Sequence, residues 1–232
     1  MSERHVVIAI DGPAASGKSS TAQWVARRLG YFHVDSGALY RAATAVQLGQ
    51  NTDADAWTEE AVLAGTSRIT FVPAGGSFAP RIDGKPCDEE LRGTEVTRHV
   101  SRVARMPGVR AWVNAQVRQS SDQHNVVVDG RDIGTVVFPD ADLKIFLVAD
   151  PWERARRRLI QRLARHPHDD EIAEETDRIV HRDAKDATQT VQATDAVLID
   201  TTYLTQEDQV ERIVALAKAV ESRDAGPSPS GQ

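Results

Sequence analysis

One cysteine, Cys87, is all that the 232 residues contain. No intrachain disulfide and no cysteine-based metal cluster is therefore available, a usage that suits a reducing compartment. Aromatic residues make up only 5% of the chain, and the formal net charge is −6. A protein that stacks on single-stranded nucleic acid, or binds an anionic membrane surface, needs aromatic platforms or an overall basic face. Neither is present in bulk, so any basic character has to be local. No stretch approaches the ~20 consecutive apolar residues of a membrane span. Residues 1–5 lead straight into an apolar run, which leaves no room for a signal peptide. These absences predict a cytoplasmic protein that engages neither nucleic acid nor membrane; a monomer is expected, though no residue pattern specifies the oligomeric state.

What is present is organised around one stretch. Gly12-Pro13-Ala14-Ala15-Ser16-Gly17-Lys18-Ser19 follows the apolar residues 6–10 and precedes a helical pattern over 21–29. It fits G-x-x-x-x-G-K-[ST], the phosphate-binding loop. Glycines let such a loop curl so that successive backbone N–H groups face phosphate oxygens, and the helix that follows aims its positive end at the same anion. Residues 12–20, through Ser20, are the predicted binding loop for a nucleoside triphosphate. Within it, Lys18 is the cation for the β- and γ-phosphates, and the Ser19 hydroxyl is a ligand for Mg²⁺.

A hydrophobic fraction of 41% over this length fills the core of one domain, and no internal repeat is visible. Buried-type strands are expected at 6–10, 31–34, 125–129, 143–148 and 196–200, alternating with helices at 21–29, 38–48, 53–64, 109–118, 153–164, 171–186 and 205–220. Residues 69–87 differ: short β-like pieces joined by Gly75-Gly76 and Asp83-Gly84 turns predict a small antiparallel lobe. Together these give an α/β fold with a five-stranded parallel sheet, doubly wound. The Ser-, Pro- and Gly-rich residues 221–232 are expected to be a disordered tail.

Phosphate loops serve many chemistries. The chain has no Asn-Lys-x-Asp guanine-reading motif, which argues against a switch GTPase. Three further stretches look like a second-substrate site: Asp35-Ser36-Gly37 with Tyr40-Arg41, Asp129-Gly130-Arg131-Asp132, and His181-Arg182-Asp183 with Asp186. With Val100-Ser101, Pro107-Gly108-Val109-Arg110 and the block Gly130-Arg131-Asp132-Ile133-Gly134-Thr135-Val136-Val137-Phe138-Pro139, the chain resembles the bacterial cytidylate (CMP) kinases, nucleoside monophosphate kinases, from about residue 6 to the final helix.

The resemblance implies one kinase domain over residues 1–220, with a substrate-binding insert near 69–92 and a lid near 157–190. It implies transfer of the γ-phosphate of ATP, with Mg²⁺, to CMP or dCMP. Ser36, Ser101, Arg110 and Asp132 would approach the acceptor nucleotide; Arg41 and Arg131 would hold its phosphate; Arg182 and Asp186 would contact its sugar. Lys18, Arg131 and Asp132 would form the catalytic set, and Asp129 would stand near the metal with Ser19. Rival readings are a kinase for another, modified nucleoside monophosphate, and a non-catalytic nucleotide-binding protein.

Each residue also has a plainer reading. Asp35 and Ser36 suit a helix cap, Asp129 suits a strand end bonded to backbone, and Arg131 with Asp132 suits a structural ion pair. In the basic helix, Arg157 and Arg158 are equal candidates for the lid arginine over ATP. His166 and His168 suit an exposed turn better than a metal site. One departure from the family is visible: the segment after Asp186 is short and carries no arginine, so a phosphate-clamping cation has to come from elsewhere, Lys185 or the basic helix.

Overall fold

The structure, a computed structural model, describes residues 4–224. The apolar run after the N-terminus forms β1 (Val7–Asp11), every residue of which is buried. Beside it run β2 (Phe32–Asp35), β6 (Val126–Gly130), β7 (Leu143–Val148) and β8 (Val197–Asp200), all parallel, in the order β2-β6-β1-β7-β8. These are the five strands expected from the sequence. The remaining pieces, β3 (Ile69–Ala74), β4 (Ser77–Ile82) and β5 (Lys85–Pro86), pair antiparallel as the turns predict. β4 also pairs parallel with β2, through His33↔Ser77 and Val34↔Phe78. The β pieces therefore extend the main sheet instead of standing apart from it.

Strand alternation sends side chains to two faces. From β1, Val7 and Ala9 pack with Leu39 of α2 (Ser36–Gln50), Val100 and Val103 of α5 (Thr94–Val103), and Val109 and Val113 of α6 (Pro107–Ser120). Ile8 and Ile10 face Ala22 and Val25 of α1 (Lys18–Leu29) and Ile213 and Val214 of α9 (Gln206–Asp224). Helices on both faces make the sheet doubly wound. A third cluster, Ala155, Leu159, Ile172 and Ile179, closes α7 (Pro151–Leu163) against α8 (Asp169–Asp186), and Ala15 of the loop packs against it.

Several boundaries differ from the sequence reading. The single helix expected over 53–64 is two elements, a 3-10 turn Ala54–Ala56 and α3 (Glu59–Gly65), because Asp53 and Thr58 each cap a separate start and Trp57 buries between them. α2 runs through Gly49 to Gln50, α4 (Asp88–Leu91) adds a turn the sequence did not announce, and Pro107 opens α6 two residues ahead of the expected start at 109. Proline at the first helical position loses no hydrogen bond, which is why it starts a helix here. α9 continues to Asp224, over the first four residues of the expected tail; residues 225–232 lie outside the described residues. Among the described residues no helix is long and apolar enough to cross a membrane.

Candidate active site

Strand register brings the site together. Asp35 pairs with Asp129 and Asp11 with Gly130, so β2, β6 and β1 end side by side, and the loops leaving them face one crevice. From Asp11 the chain turns through Gly12 at φ 149°, where a Cβ would stand 2.2 Å from the Leu147 carbonyl oxygen; only glycine fits. Gly17, at φ 87°, starts α1. Lys18 Nζ donates to Pro13 O at 2.7 Å from inside the loop. Burial, and then the nearby Arg131 guanidinium, push the Lys18 amine well below its ordinary 10.5. A buried ammonium facing a second cation is a place that an anion would stabilise.

Two parts of the loop do not fit the expectation that its N–H groups all face phosphate. Pro13 has no N–H, and the Ala14 N–H donates to Asp183 Oδ1 of α8 at 2.8 Å. Ser20 is exposed, and its hydroxyl bonds Gly17 O at 2.9 Å.

Ser19 Oγ donates to Asp129 Oδ2 at 2.6 Å, and His33 Nε2 lies 2.7 Å from Asp129 Oδ1. The plainer reading of Asp129, a carboxylate spent on backbone, is thus not what the structure holds. Burial draws the His33 imidazole down, but the bond to Asp129 and its charge outweigh this and raise it. Asp35 does cap α2, accepting from Ala38 N at 3.2 Å, while Ser36 Oγ donates to Asp129 O at 2.8 Å. Burial, then the Asp129 charge, lift the Asp35 carboxyl to about 6. Among the described residues no group of three or more His, Cys, Asp or Glu is arranged to hold a metal ion. Ser19 and Asp129 are the two oxygen-bearing side chains that meet directly here.

Opposite the loop lies a group of guanidiniums. Arg131 donates to Gly12 O at 3.1 Å and stands 3.5 Å from Asp186; Arg182 stands 3.7 Å from the same carboxylate. Arg41 donates to Leu91 O and Thr97 Oγ1, both neutral, at 3.0 Å. The Nε atoms of Arg131 and Arg182 are buried without a hydrogen-bond partner. Burial, followed by Arg131 and Arg41, draws Arg182 down to about 10; burial likewise lowers Arg41, against the charge of Asp35 and with that of Arg158 and Arg131. These cations exceed the carboxylates that face them, and the surplus marks a site for a multiply charged anion.

Arg110 donates to Asp132 Oδ2, so Asp132 pairs with Arg110 and not with its neighbour Arg131. Burial raises the Asp132 carboxyl, against the pull of Arg110. Ser101 bonds no side chain among the described residues; it lines a cavity of about 460 Å³ with Glu59, His99, Arg102 and Lys185. The structure separates the two equal arginines. Arg157 donates to Thr201 O and Thr202 O at 2.6 and 2.8 Å, whereas Arg158 pairs with Glu175 at 3.1 Å and is the one felt by Arg41 and Arg182. Of the two sources named for the missing cation, Arg158 of the basic helix lies near this group, and Lys185 lines the Ser101 cavity. His168 starts α8, its N–H bonded to Glu171 at 2.8 Å.

The sequence reading gave no role to Asp11, His33, Arg154 or Asp183, although Asp183 stands in one of the stretches it singled out. Asp11 accepts from Ile133 N at 2.9 Å and Gly134 N at 2.8 Å, holding the Arg131-Asp132 loop. Arg154 and Asp183 grip the phosphate loop from α7 and α8. A strand-ending aspartate and a buried arginine in a basic helix were the available signals, and neither specifies a partner.

A family model described as cytidylate kinase matches residues 8–219. A cytidylate kinase of Desulfitobacterium hafniense (strain Y51) is 44% identical over 219 residues, covering 92% of this chain and 93% of that protein. One of Limosilactobacillus fermentum (strain NBRC 3956 / LMG 18251) is 43% identical over 212 residues, covering 90% and 93%. Among solved structures, a gluconokinase from Sinorhizobium meliloti 1021 superposes with a TM-score of 0.51 at 14% identity, covering 97% of this chain and 99% of that one, a likeness of fold alone.

Proposed function

The chain belongs to the cytidylate kinase family, and from that premise we propose that it transfers the γ-phosphate of ATP to CMP or dCMP, giving CDP or dCDP and ADP. The observation that carries the reading is the surplus of guanidiniums, Arg41, Arg131, Arg158 and Arg182, facing a phosphate loop whose Lys18 is itself buried beside Arg131. Phosphoryl transfer needs alignment and charge neutralisation more than covalent help. Two phosphate-bearing substrates meeting head to head supply the negative charge that this basin lacks.

Each residue then takes a role. The loop from Gly12 to Ser20 holds the donor, with Lys18 on its β- and γ-phosphates. Arg41 and Arg131 hold the acceptor phosphate, bidentate geometry suiting arginine better than lysine. Arg182 and Asp186 take the sugar. The base is read by Ser36, Ser101, Arg110 and Asp132: cytosine offers an amino donor beside two acceptors, so a carboxylate accepts from N4 while Arg110 and a hydroxyl donate. Uracil puts a carbonyl where that amino group would be, and a carboxylate opposite a carbonyl is unfavourable. No protein nucleophile is needed, since an acceptor phosphate oxygen attacks directly.

Ser19 and Asp129 fit Mg²⁺. Both are hard oxygen donors and they are already 2.6 Å apart, which suits a cation held by one or two protein oxygens. His33 would orient the Asp129 carboxylate from behind. When bound, the cation withdraws charge from the donor phosphates.

An ADP-release assay with Mg-ATP across CMP, dCMP, UMP, AMP and GMP tests the reading. CMP and dCMP are expected to be turned over well above the others. Preference for UMP or AMP, or no turnover of CMP, would overturn it.

A further inference from the structure

We propose that Asp183 and Arg154 are positioning residues that couple donor binding at the phosphate loop to the acceptor-facing side of α8. The inference rests on the two-substrate reading above. Asp183 Oδ1 accepts from Ala14 N at 2.8 Å, Arg154 Nη1 donates to Ala14 O at 2.7 Å, and the same Nη1 lies 2.6 Å from Asp183 Oδ2. Both backbone polar groups of one loop residue, Ala14, are thus gripped by an ion pair that bridges α7 and α8. Arg154 is only 4% exposed, so the pair works with little competition from water.

The grip sits where it can transmit. Ala15, the next residue, has φ 56°, an unfavourable region for a residue with a side chain, and it packs on the α7–α8 cluster around Leu159 and Ile179. On α8, Asp183 directly follows Arg182 and lies one turn before Asp186, the two residues assigned to the acceptor sugar. Asp186 in turn meets Arg131, which donates to Gly12 O. The loop and α8 are therefore joined at Ala14 and again, through Arg131, at Gly12. Beside the first join, a cavity of about 270 Å³ lined by Pro13, Phe146, Val148, Asp183, Ala187 and Thr190 separates the loop from the end of α8. A loop that settles around donor phosphates draws Ala14, and with it α8, into the position that presents Arg182 and Asp186.

Coupling of this kind is reciprocal and measurable as a ratio of dissociation constants. The experiment is calorimetric titration of the full chain with CMP, in the absence and presence of saturating Mg²⁺ and the β,γ-imido analogue of ATP. For the wild type, the analogue is expected to tighten CMP binding by roughly fivefold or more. In Asp183→Asn, which turns an amide N–H₂ toward Arg154 or Ala14 N–H, the ratio falls toward one while CMP alone binds as it does to the wild type. Arg154→Met, which keeps much of the length but neither the charge nor the donors, gives the same result. Retention of the full ratio in either folded variant overturns the proposal, as does a wild-type ratio of one. Loss of the thermal unfolding transition in both variants overturns it too, because the pair would then serve folding only. Failure of the wild type to bind CMP and the analogue at all would instead sink the two-substrate reading beneath it.

Discussion

Ser19 and Asp129 are 110 residues apart in the chain, and the Ser19 hydroxyl donates to the Asp129 carboxylate at 2.6 Å. One comes from the first turn of α1 and the other from the end of β6, so parallel pairing of β6 with β1 is what creates the pair.

Removing the hydroxyl leaves the carboxylate but takes away half of the oxygen set. Ser19→Ala is expected to raise the Mg²⁺ concentration for half-maximal rate by roughly tenfold or more, whereas Ser19→Thr, which restores a hydroxyl, stays near the wild type. A Mg²⁺ titration of initial rate reads this out. An unchanged Mg²⁺ requirement in Ser19→Ala would remove Ser19 from the metal site.

Arg110 and Asp132 satisfy each other in a half-buried place, so deleting one leaves an uncompensated charge. Asp132→Ala is expected to lower kcat/KM for CMP by roughly 10- to 100-fold, the loss expected for a charged hydrogen bond. The dissociation constant of ATP, measured separately by titration, stays put. Equal loss for both nucleotides would mean that Asp132 supports the fold and not the base.

Gly12→Ala is expected to cost stability before it costs chemistry. Its Cβ would meet the Leu147 carbonyl oxygen at 2.2 Å, and backbone cannot swing aside as a flexible side chain can. Together with the positive φ, a loss of about 2 kcal/mol or more is expected in urea unfolding. Wild-type stability in this variant would show that the loop relaxes away from β7.

Burial raises the Asp11 carboxyl from its ordinary 3.8 to about 6, against the two amide bonds from Gly134 and Ile133. The folded chain therefore holds this proton more tightly than the unfolded chain. The contribution of Asp11 to stability is greatest below pH 3.8 and declines as pH rises through about 6. Urea unfolding from about pH 4 to 7 should show the wild type losing ground to Asp11→Asn across that window, with the difference level above it. A wild type that gains on the variant as pH rises would place the carboxyl below its ordinary value.

The parts of the site that the sequence disclosed are those made by consecutive residues. Gly12, Gly17, Lys18 and Ser19 announce a phosphate loop because the curl, the cation and the helix start all lie within one short stretch. Buried strands were equally legible from residues 6–10 and 143–148, since a parallel strand covered on both faces has to be apolar throughout. The arginines were visible one by one, but their surplus over carboxylates was not. Whether Arg131 spends its charge on Asp132 or on Asp186 depends on which side chain the fold sets beside it. The same holds for Arg157 and Arg158: neighbours on α7, they point to different surfaces and take different partners.

By itself, then, the sequence determined a nucleotide-phosphate loop ahead of a doubly wound parallel sheet, whereas the residues expected to read a cytidine nucleotide came from its resemblance to a family. The loop and the sheet follow from local backbone geometry and from the two-residue and 3.6-residue periods of burial, which neighbouring residues fix among themselves. Only the tertiary structure decided that Asp11 braces the Arg131 loop, that His33 and Ser19 share Asp129, and that Arg154 and Asp183 grip Ala14. Hydrogen bonds and ion pairs act over about 3 Å, and residues as distant in sequence as Ala14 and Asp183 come that close only when the sheet order and the α7–α8 packing bring them there.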